Sequence, residues 1–300
     1  MFEKRTDLAI EVQEMRGNDS GIIINEETRR GFAVTRATVS GESGVKNSGK
    51  PEGEYITLDV GSEWRRDRAR FAELAEILSQ EISALLPQGE GCVLVAGLGN
   101  ERITPDALGP KTIKHLIVTR HIEDADPTLF YNGGFASVSA IASGVLAQTG
   151  IETAELIKGV CDTVHPKCVI VIDALASRRL SRLCTTVQLS SAGIAPGSGV
   201  ANRRTAINKE LLGVPVVSVG VPTVVDAATL AMDILEEQAT LTPDAARDAA
   251  EALMSCKEKN SFVTPKDSDV ITDSLSRLLA LSLNMALHRM TADECLDFLF

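Results

Sequence analysis

Two aspartates, Asp106 and Asp173, have types and positions that would let them share chemistry. Asp106 lies in Asn100–Pro110, after the first strongly apolar run of the chain, and Asp173 ends the second such run, in Val169–Ala176. Open parallel sheets bind ligands outside the carboxyl ends of their strands, so neighbouring strands would bring the two loops together. Two carboxyl groups in one cleft can share a proton and direct a water molecule at a peptide carbonyl. The spacing therefore predicts a hydrolytic pair, although a helix-end or turn-capping role for either aspartate stays open.

The elements that must position this pair alternate between strands and helices. Continuous apolar runs predict buried strands at 91–96, 167–172 and 214–219, with a further strand at 184–190. Helical patterns occur at 63–86, 151–164 and 224–237. Strands that are apolar on both faces and alternate with helices indicate a mostly parallel central sheet with helices on both faces. The predicted fold class is therefore α/β.

The first sixty residues differ from the rest, because they are rich in Gly, Ser, Thr and charged residues. Short β-type runs at 21–25, 31–39 and 55–60 predict small hairpins. The glycine- and serine-rich stretch Gly41–Gly53 predicts a mobile linker between them. The sequence thus predicts an N-terminal β-rich extension of the α/β fold.

Composition and charge exclude several classes of protein. The 300 residues are 44% hydrophobic and 24% charged, as in ordinary globular proteins, and the formal net charge is −11. Nucleic-acid binding needs a basic surface, so direct nucleic-acid binding is not expected. No apolar run approaches the about 18 residues of a membrane span, and the N-terminus lacks the apolar region of a secretory signal. The six cysteines form no C-x-x-C motif, which favours reduced thiols in a cytoplasmic protein.

Other motifs are incomplete. Gly44–Lys50 has the spacing G-x-x-x-x-G-K, but Pro51 follows where a P-loop needs Ser or Thr. Gly97–Gly99 resembles the start of a dinucleotide fingerprint, but Arg102 occupies the position of the third glycine. A nucleotide-binding α/β module therefore stays an alternative. The four histidines form neither H-x-x-x-H nor H-E-x-x-H, and no G-x-S-x-G nucleophile elbow is present.

Four segments, in order along the chain, resemble the germination proteases of spore-forming bacteria. They are Arg5–Glu11, Leu98–Pro110, Val171–Ala176 and Gly220–Asp226. The unit Gly97–Asp106 is also similar to the shorter hydrogenase-maturation proteases. The resemblance implies a self-activating endopeptidase that degrades small acid-soluble spore proteins during germination. It further implies a homotetramer in the cytoplasm of the forespore and spore core, with no membrane partner.

The resemblance also implies roles for the two aspartates. The critical aspartates of the family match Asp106 and Asp173. Maturation proteases bind a metal through acidic residues and a histidine, and Gly220–Asp226 contains no histidine. This difference favours a mechanism in which the aspartate pair activates water and no cofactor is needed. A metal-dependent maturation-type protease is the alternative.

A processing site follows from the same resemblance. Family substrates are cut after an acidic residue that is followed by a bulky apolar residue and then Ala, and Asp7–Ala9 has this order. The implied cleavage lies between Asp7 and Leu8. The chain would then consist of a pro-segment at 1–7, a β-rich N-terminal extension at 8–62 and an α/β peptidase core at 63–300.

Overall fold

A computed structural model describes residues 6–17, 22–197, 204–237, 245, 248, 252 and 261–299. Residues 1–5 of the predicted pro-segment and Cys256 lie outside the described residues, and the five described cysteines are free thiols. The strands are β1 Ile22–Arg29, β2 Phe32–Val39, β3 Gly53–Asp59, β4 Val93–Leu98, β5 Val138–Gly144, β6 Cys168–Ser177, β7 Thr186–Ser190, β8 Val216–Asp226 and β9 Phe262–Val263. The helices are α1 Ala9–Arg16, α2 Gly41–Ser48, α3 Arg68–Leu85, α4 Leu108–Ile113, α5 Arg120–Ala125, α6 Pro127–Asn132, α7 Leu146–Thr149, α8 Thr153–Val164, α9 Lys209–Leu212, α10 Ala227–Glu237, α11 Ser268–His288 and α12 Ala292–Leu299.

The nine strands of the described residues form one sheet. Its order is β1-β2-β3-β7-β8-β6-β4-β5, and β9 pairs with β8 at the side. Strands β5, β4, β6 and β8 are parallel to one another, whereas β7, β3, β2 and β1 continue the sheet in antiparallel pairs. The predicted α/β fold, with parallel inner strands and a β-rich N-terminal extension, is confirmed. The extension joins the sheet through β3 and β7, and the domain boundaries stay a prediction.

The two faces of the sheet are buried by different helices. On one face Ile170 and Ile172 belong to an apolar core that also contains residues of α3 and α11. On the other face Val169 and Val171 pack in a second core with Ile157 of α8. Burial on both faces explains why the parallel strands are apolar at nearly every position.

Helix α11 has the length and composition of a membrane span, but 67% of its most apolar window is buried within the structure. Its polar groups also have partners inside the fold. Asn284 accepts a hydrogen bond from the Ile117 amide and donates one to the His115 carbonyl, both at 3.0 Å. His288 accepts a hydrogen bond from the Ala136 amide at 3.3 Å. These contacts are those of a core helix that also holds the connection between α4 and β5.

The predicted linker Gly41–Gly53 is wrong, because helix α2 occupies most of it. Gly49 ends this helix with a left-handed φ of 69°, and its amide donates to the Val45 carbonyl at 2.8 Å. The glycines and serines that suggested a linker include the residue that ends this helix. The buried Ser48 side chain donates to the Gly44 carbonyl, which adds a contact within the last turn.

Strands β6 and β8 are longer than predicted. Their pairing continues through Asp173–Gly220 to Ser177–Val225, past the predicted ends at 172 and 219. Asp173 therefore lies within a strand instead of after it. After β4, Thr104–Asp106 forms a 3₁₀ turn, and α4 begins at Leu108.

Two glycines allow α4 to lie directly against the end of β4. A Cβ atom on Gly109 would be 2.4 Å from the Leu98 carbonyl oxygen, and one on Gly97 would be 2.5 Å from the Gly109 carbonyl oxygen. No side chain fits between these backbones. The contact fixes the turn that carries Asp106.

We expect Gly109→Ala to lower the free energy of unfolding by about 1–3 kcal/mol, because the added Cβ forces backbone atoms apart. Gly159→Ala is the matched control, since Gly159 lies in α8 with no atom within 4 Å of a new Cβ. That control should raise the free energy of unfolding by about 0.5–1 kcal/mol, the helix propensity difference. Urea denaturation measures both. A Gly109→Ala protein as stable as the wild type would contradict the close backbone contact.

Candidate active site

Asp106 is held in the turn between β4 and α4. Its Oδ2 accepts a hydrogen bond from the Asn100 amide at 2.7 Å. Gly99 has a φ of +109°, and a Cβ there would be 2.0 Å from the Asp106 carbonyl oxygen. The glycine-containing turn thus serves a carboxylate of the same chain, which occupies a backbone amide that a bound phosphate would need. This geometry gives no support to the nucleotide-binding alternative.

The same turn is tied to β8 on its other side. Thr223 is 1% exposed, and its hydroxyl donates a hydrogen bond to the Pro105 carbonyl at 2.6 Å. Asp106 therefore sits between the ends of β4 and β8, in reach of the parallel strand β6 that lies between them. Burial raises the pKa of Asp106, whereas the Asn100 amide and the Arg204 charge oppose the rise.

Asp173 lies in β6, opposite Gly220 of β8. Its side chain is nearly inaccessible to solvent, and its Oδ1 accepts a hydrogen bond from the Ala174 amide at 2.9 Å. Burial raises the pKa of Asp173 well above its usual range, and the negative charges of Asp106 and Asp7 raise it further. The structure thus brings the two predicted aspartates together and adds a third carboxyl group beside them.

The third group belongs to the predicted processing site. The Asp7 amide donates to the Ala176 carbonyl at 2.9 Å, and the Ala176 amide donates to Asp7 Oδ2 at 2.8 Å. These bonds form along β6 beyond Ile172, the last residue of β6 that pairs with β4. Leu8 is fully buried, and α1 begins at the next residue. The segment before α1 therefore occupies the edge of β6 beside the aspartates.

The carbonyl oxygen of Asp7 has two side-chain donors. Lys50 Nζ lies 2.8 Å from it and Gln188 Nε2 lies 3.3 Å from it. Gln188 Oε1 also accepts a hydrogen bond from the Ala9 amide at 2.8 Å. No sequence pattern points to either residue, and Gln188 lies in an ordinary strand pattern. Lys50 is the last residue of Gly44–Lys50, whose spacing resembles a phosphate-binding loop and does not indicate this contact.

Glu11 anchors α1 to the chain that follows β6. Its buried carboxylate accepts hydrogen bonds from the Arg178 amide at 2.7 Å and the Arg179 amide at 3.0 Å, and it lies 3.6 Å from the Arg182 guanidinium. Burial raises the pKa of Glu11, and these groups together with the Thr6 hydroxyl oppose the rise. The anchor fixes the direction in which Asp7 and Leu8 approach β6.

The residues around the pair do not form an evident metal site. In the part of the chain that the structure describes, no three His, Cys, Asp or Glu side chains are grouped so that they could hold a metal ion. Catalytic zinc sites use three protein ligands, and the described residues around Asp106 and Asp173 provide no such set. The donor set therefore does not fit a maturation-type metal centre.

Comparisons with known proteins extend over nearly the whole chain. The family model described as germination protease matches residues 3–238. The chain is 43% identical to a germination protease of Caldanaerobacter subterraneus, over 95% of this chain and 94% of that protein. It is 39% identical to one of Clostridium perfringens, over 96% of each protein, and 35% identical to one of Bacillus subtilis, over 97% and 95%. A solved NiFe hydrogenase maturation protease of Thermococcus kodakarensis matches with a TM-score of 0.36 and 14% identity, over 68% of this chain and 98% of that one.

The buried carboxyl group of Asp173 should make the stability of the protein depend on pH. Because its folded-state pKa is raised, the folded chain holds a proton that the unfolded chain releases, and stability falls as pH rises from about 4 toward the folded-state pKa. Asp173→Asn removes this effect and keeps an oxygen for the Ala174 amide. We expect the variant to melt at a higher temperature than the wild type at about pH 7.5, with a smaller difference near pH 4.

The control for this measurement is Asp162→Asn, which alters an exposed aspartate on α8. It should show no gain that grows with pH. Thermal unfolding followed by circular dichroism gives the melting temperatures. An Asp173→Asn protein that melts below the wild type at neutral pH would contradict the interpretation.

Proposed function

This chain belongs to the germination protease family, and we propose that it is a self-activating endopeptidase that degrades small acid-soluble spore proteins during germination. The family membership establishes a peptidase, since the family model matches residues 3–238 and the relatives span nearly the full chain. The observation that carries the proposed mechanism is the pair of carboxyl groups of Asp106, half-buried in the turn after β4, and Asp173, buried within β6. No cofactor enters this mechanism.

The two carboxyl groups share the work of acid and base. Asp173 has the more strongly raised pKa and holds the shared proton, because it is nearly inaccessible to solvent and lies beside two other carboxyl groups. Asp106 is the ionised member, because the Asn100 amide and the Arg204 charge stabilise its carboxylate. Asp106 takes a proton from water as the water oxygen attacks the peptide carbonyl, and Asp173 gives its proton to the leaving amine. The pair titrates as a unit, so its pH profile reports the pair and not one residue.

The position of Asp7 supports the proposal of a zymogen. Its amide and carboxylate occupy both hydrogen-bonding groups of Ala176 on the edge of β6. A protein substrate that approached the aspartates along the same edge would need these groups. The segment that contains the predicted cleavage site thus excludes substrate until it is cut between Asp7 and Leu8.

The remaining parts of the proposal follow from the substrates and the family resemblance. Small acid-soluble spore proteins lie in the cytoplasm of the forespore and spore core, so the enzyme acts there. It assembles as a homotetramer, has no membrane partner and does not bind nucleic acid directly. Size-exclusion chromatography with light scattering tests the tetramer.

We expect Asp106→Asn and Asp173→Asn each to lower the rate of peptide cleavage by about 10²–10⁴-fold, because an amide cannot exchange the proton. The assay is digestion of a purified small acid-soluble spore protein, followed by mass spectrometry of the fragments. Asp162→Asn on α8 is the control and should cleave at the wild-type rate. Near-normal turnover by either variant would remove that aspartate from the mechanism, and wild-type activity lost on treatment with a chelator would favour a metal-dependent enzyme.

Self-processing is expected to give a new N-terminus at Leu8. N-terminal sequencing and intact mass should show the loss of seven residues in the wild type, whereas the purified Asp173→Asn chain should stay uncut. A wild-type protein that is fully active while it still begins at Met1 would contradict the zymogen. Cutting of Asp173→Asn at the wild-type rate would show that another protease is responsible.

A further inference from the structure

We propose that Lys50 and Gln188 are the two donors that hold the carbonyl oxygen of the scissile peptide bond and stabilise the oxyanion formed there. They would act first on the bond between Asp7 and Leu8, and then on the corresponding bond of protein substrates. The inference rests on the endopeptidase function proposed above. In this proposal Lys50 and Gln188 bind the carbonyl oxygen, while the two aspartates activate water and transfer protons.

The distances to the carbonyl oxygen fit this role. Lys50 Nζ is 2.8 Å from Asp7 O, within the range at which oxyanion donors act, and Gln188 Nε2 is 3.3 Å from it. The longer contact is made to a planar ground-state carbonyl. Catalytic hydrogen bonds are often long in the resting state and shorten in the reacting complex. The two donors come from separate elements, the end of α2 and the strand β7.

The orientation of the Gln188 amide is determined by its second partner. The Ala9 amide can only donate, so the side-chain atom 2.8 Å away is the acceptor Oε1, and Nε2 must face Asp7 O. Gln188 therefore spans the bond between Asp7 and Leu8, because it binds the carbonyl before it and the amide of the second residue after it. Both contacts are with main-chain atoms, so they do not depend on the substrate sequence.

The acidic side chain before the bond has a separate partner. Asp7 Oδ2 accepts the Ala176 amide at 2.8 Å, while the Asp7 amide donates to the Ala176 carbonyl at 2.9 Å. One residue of β6 thus holds the main chain and the carboxylate of the same substrate residue. The carbonyl oxygen of Asp7 is then bound by Lys50 and Gln188.

The sheet register places Gln188 and Asp173 on the same face. Gln188 pairs with Gly220 of β8, and Gly220 pairs with Asp173 of β6. The two Cα atoms are therefore separated by two strand spacings, about 10 Å. Gly220 contributes no side chain between them. The Asp7 charge is close enough to Asp173 to affect its pKa, in agreement with this placement.

The backbone of Lys50 is fixed by contacts that do not involve the substrate segment. It follows Gly49, whose left-handed conformation ends α2. Its own amide donates to the Ser48 hydroxyl at 3.1 Å, and Ser48 is buried. A donor on a fixed backbone needs little rearrangement during the reaction, which is the condition under which oxyanion stabilisation is effective.

The proposed step is balanced without any other reagent. The water oxygen forms a bond to the Asp7 carbonyl carbon, a proton passes from water to Asp106, and the carbonyl electron pair moves to the oxygen that Lys50 and Gln188 hold. The carbonyl then reforms as the bond to the Leu8 nitrogen breaks, and that nitrogen takes the proton of Asp173. The products are a carboxyl group on Asp7 and an amine on Leu8.

The test is the rate constant of self-cleavage in the full chain, followed by intact mass after dilution from denaturant. We expect Lys50→Met to lower this rate constant by about 10²–10³-fold, the usual effect of the loss of one oxyanion donor. Lys50→Arg keeps a cationic donor and should recover at least a tenth of the wild-type rate. Lys46→Met, in the last turn of the same helix, is the matched control and should cleave at the wild-type rate.

Gln188→Glu provides an independent variant. It keeps an acceptor for the Ala9 amide but has no donor for Asp7 O, so it should also slow self-cleavage at least tenfold. Circular dichroism and thermal unfolding establish which variants are folded. If Lys50→Met is unfolded, the self-cleavage rate of Gln188→Glu alone tests the inference, with the same tenfold limit. A folded Lys50→Met or Gln188→Glu protein that cleaves within tenfold of the wild-type rate overturns the inference.

A separate measurement distinguishes a wrong assignment of Lys50 and Gln188 from a wrong proposed function. The wild-type protein is incubated with a peptide of residues 4–13, Lys-Arg-Thr-Asp-Leu-Ala-Ile-Glu-Val-Gln. If the wild type cuts neither itself nor this peptide after Asp, the proposed function is wrong. If the wild type cuts and the variants cut equally well, only the assignment of Lys50 and Gln188 is wrong.

Discussion

The removal of two neighbouring carboxyl groups from water, nearly complete for Asp173 and partial for Asp106, is the constraint on which the site depends. A carboxylate is costly to remove from water, and a second one nearby increases the cost. The raised pKa values of Asp106 and Asp173 are the expression of that cost. The fold keeps both groups in place by rigid backbone contacts, such as those between Gly97 and Gly109. The apolar cores on both faces of the sheet stabilise the fold and offset the free-energy cost of the buried carboxyl groups.

The length of β6 determines how a peptide can reach this pair. Pairing between β4 and β6 stops at Ile172, whereas pairing between β6 and β8 continues to Ser177. One edge of β6 is therefore left without a neighbouring strand just beyond Asp173. Exposed strand edges bind extended peptides through main-chain hydrogen bonds. The chain uses this edge for its own residue Asp7, so the proposed processing site and the proposed substrate site can share one geometry.

The sequence predicted those parts of the fold and site that depend on local pattern and on general rules of parallel sheets. Apolar runs located β4, β6 and β8, and the rule on carboxyl ends brought Asp106 near Asp173. The extra length of β6 could not be predicted, because its polar residue Asp173 looked like the end of a strand. Its continuation depends on the register with β8, which is a long-range property. Lys50 and Gln188 were missed for the same reason, since their role depends on contact with a residue more than forty positions away.

The contacts of Asp7 and Glu11 suit a pro-segment that first blocks the site, is then cut there as a substrate, and dissociates after cleavage. While it is joined to α1, it is held next to the site at a high effective concentration, because Glu11 fixes the helix to the chain after β6. Cleavage between Asp7 and Leu8 would separate the segment from this anchor. It would also give Asp7 a second carboxylate beside Asp106 and Asp173, and like charges in a buried site repel strongly. The reaction itself would therefore weaken the binding of its own product and open the edge of β6 to protein substrates.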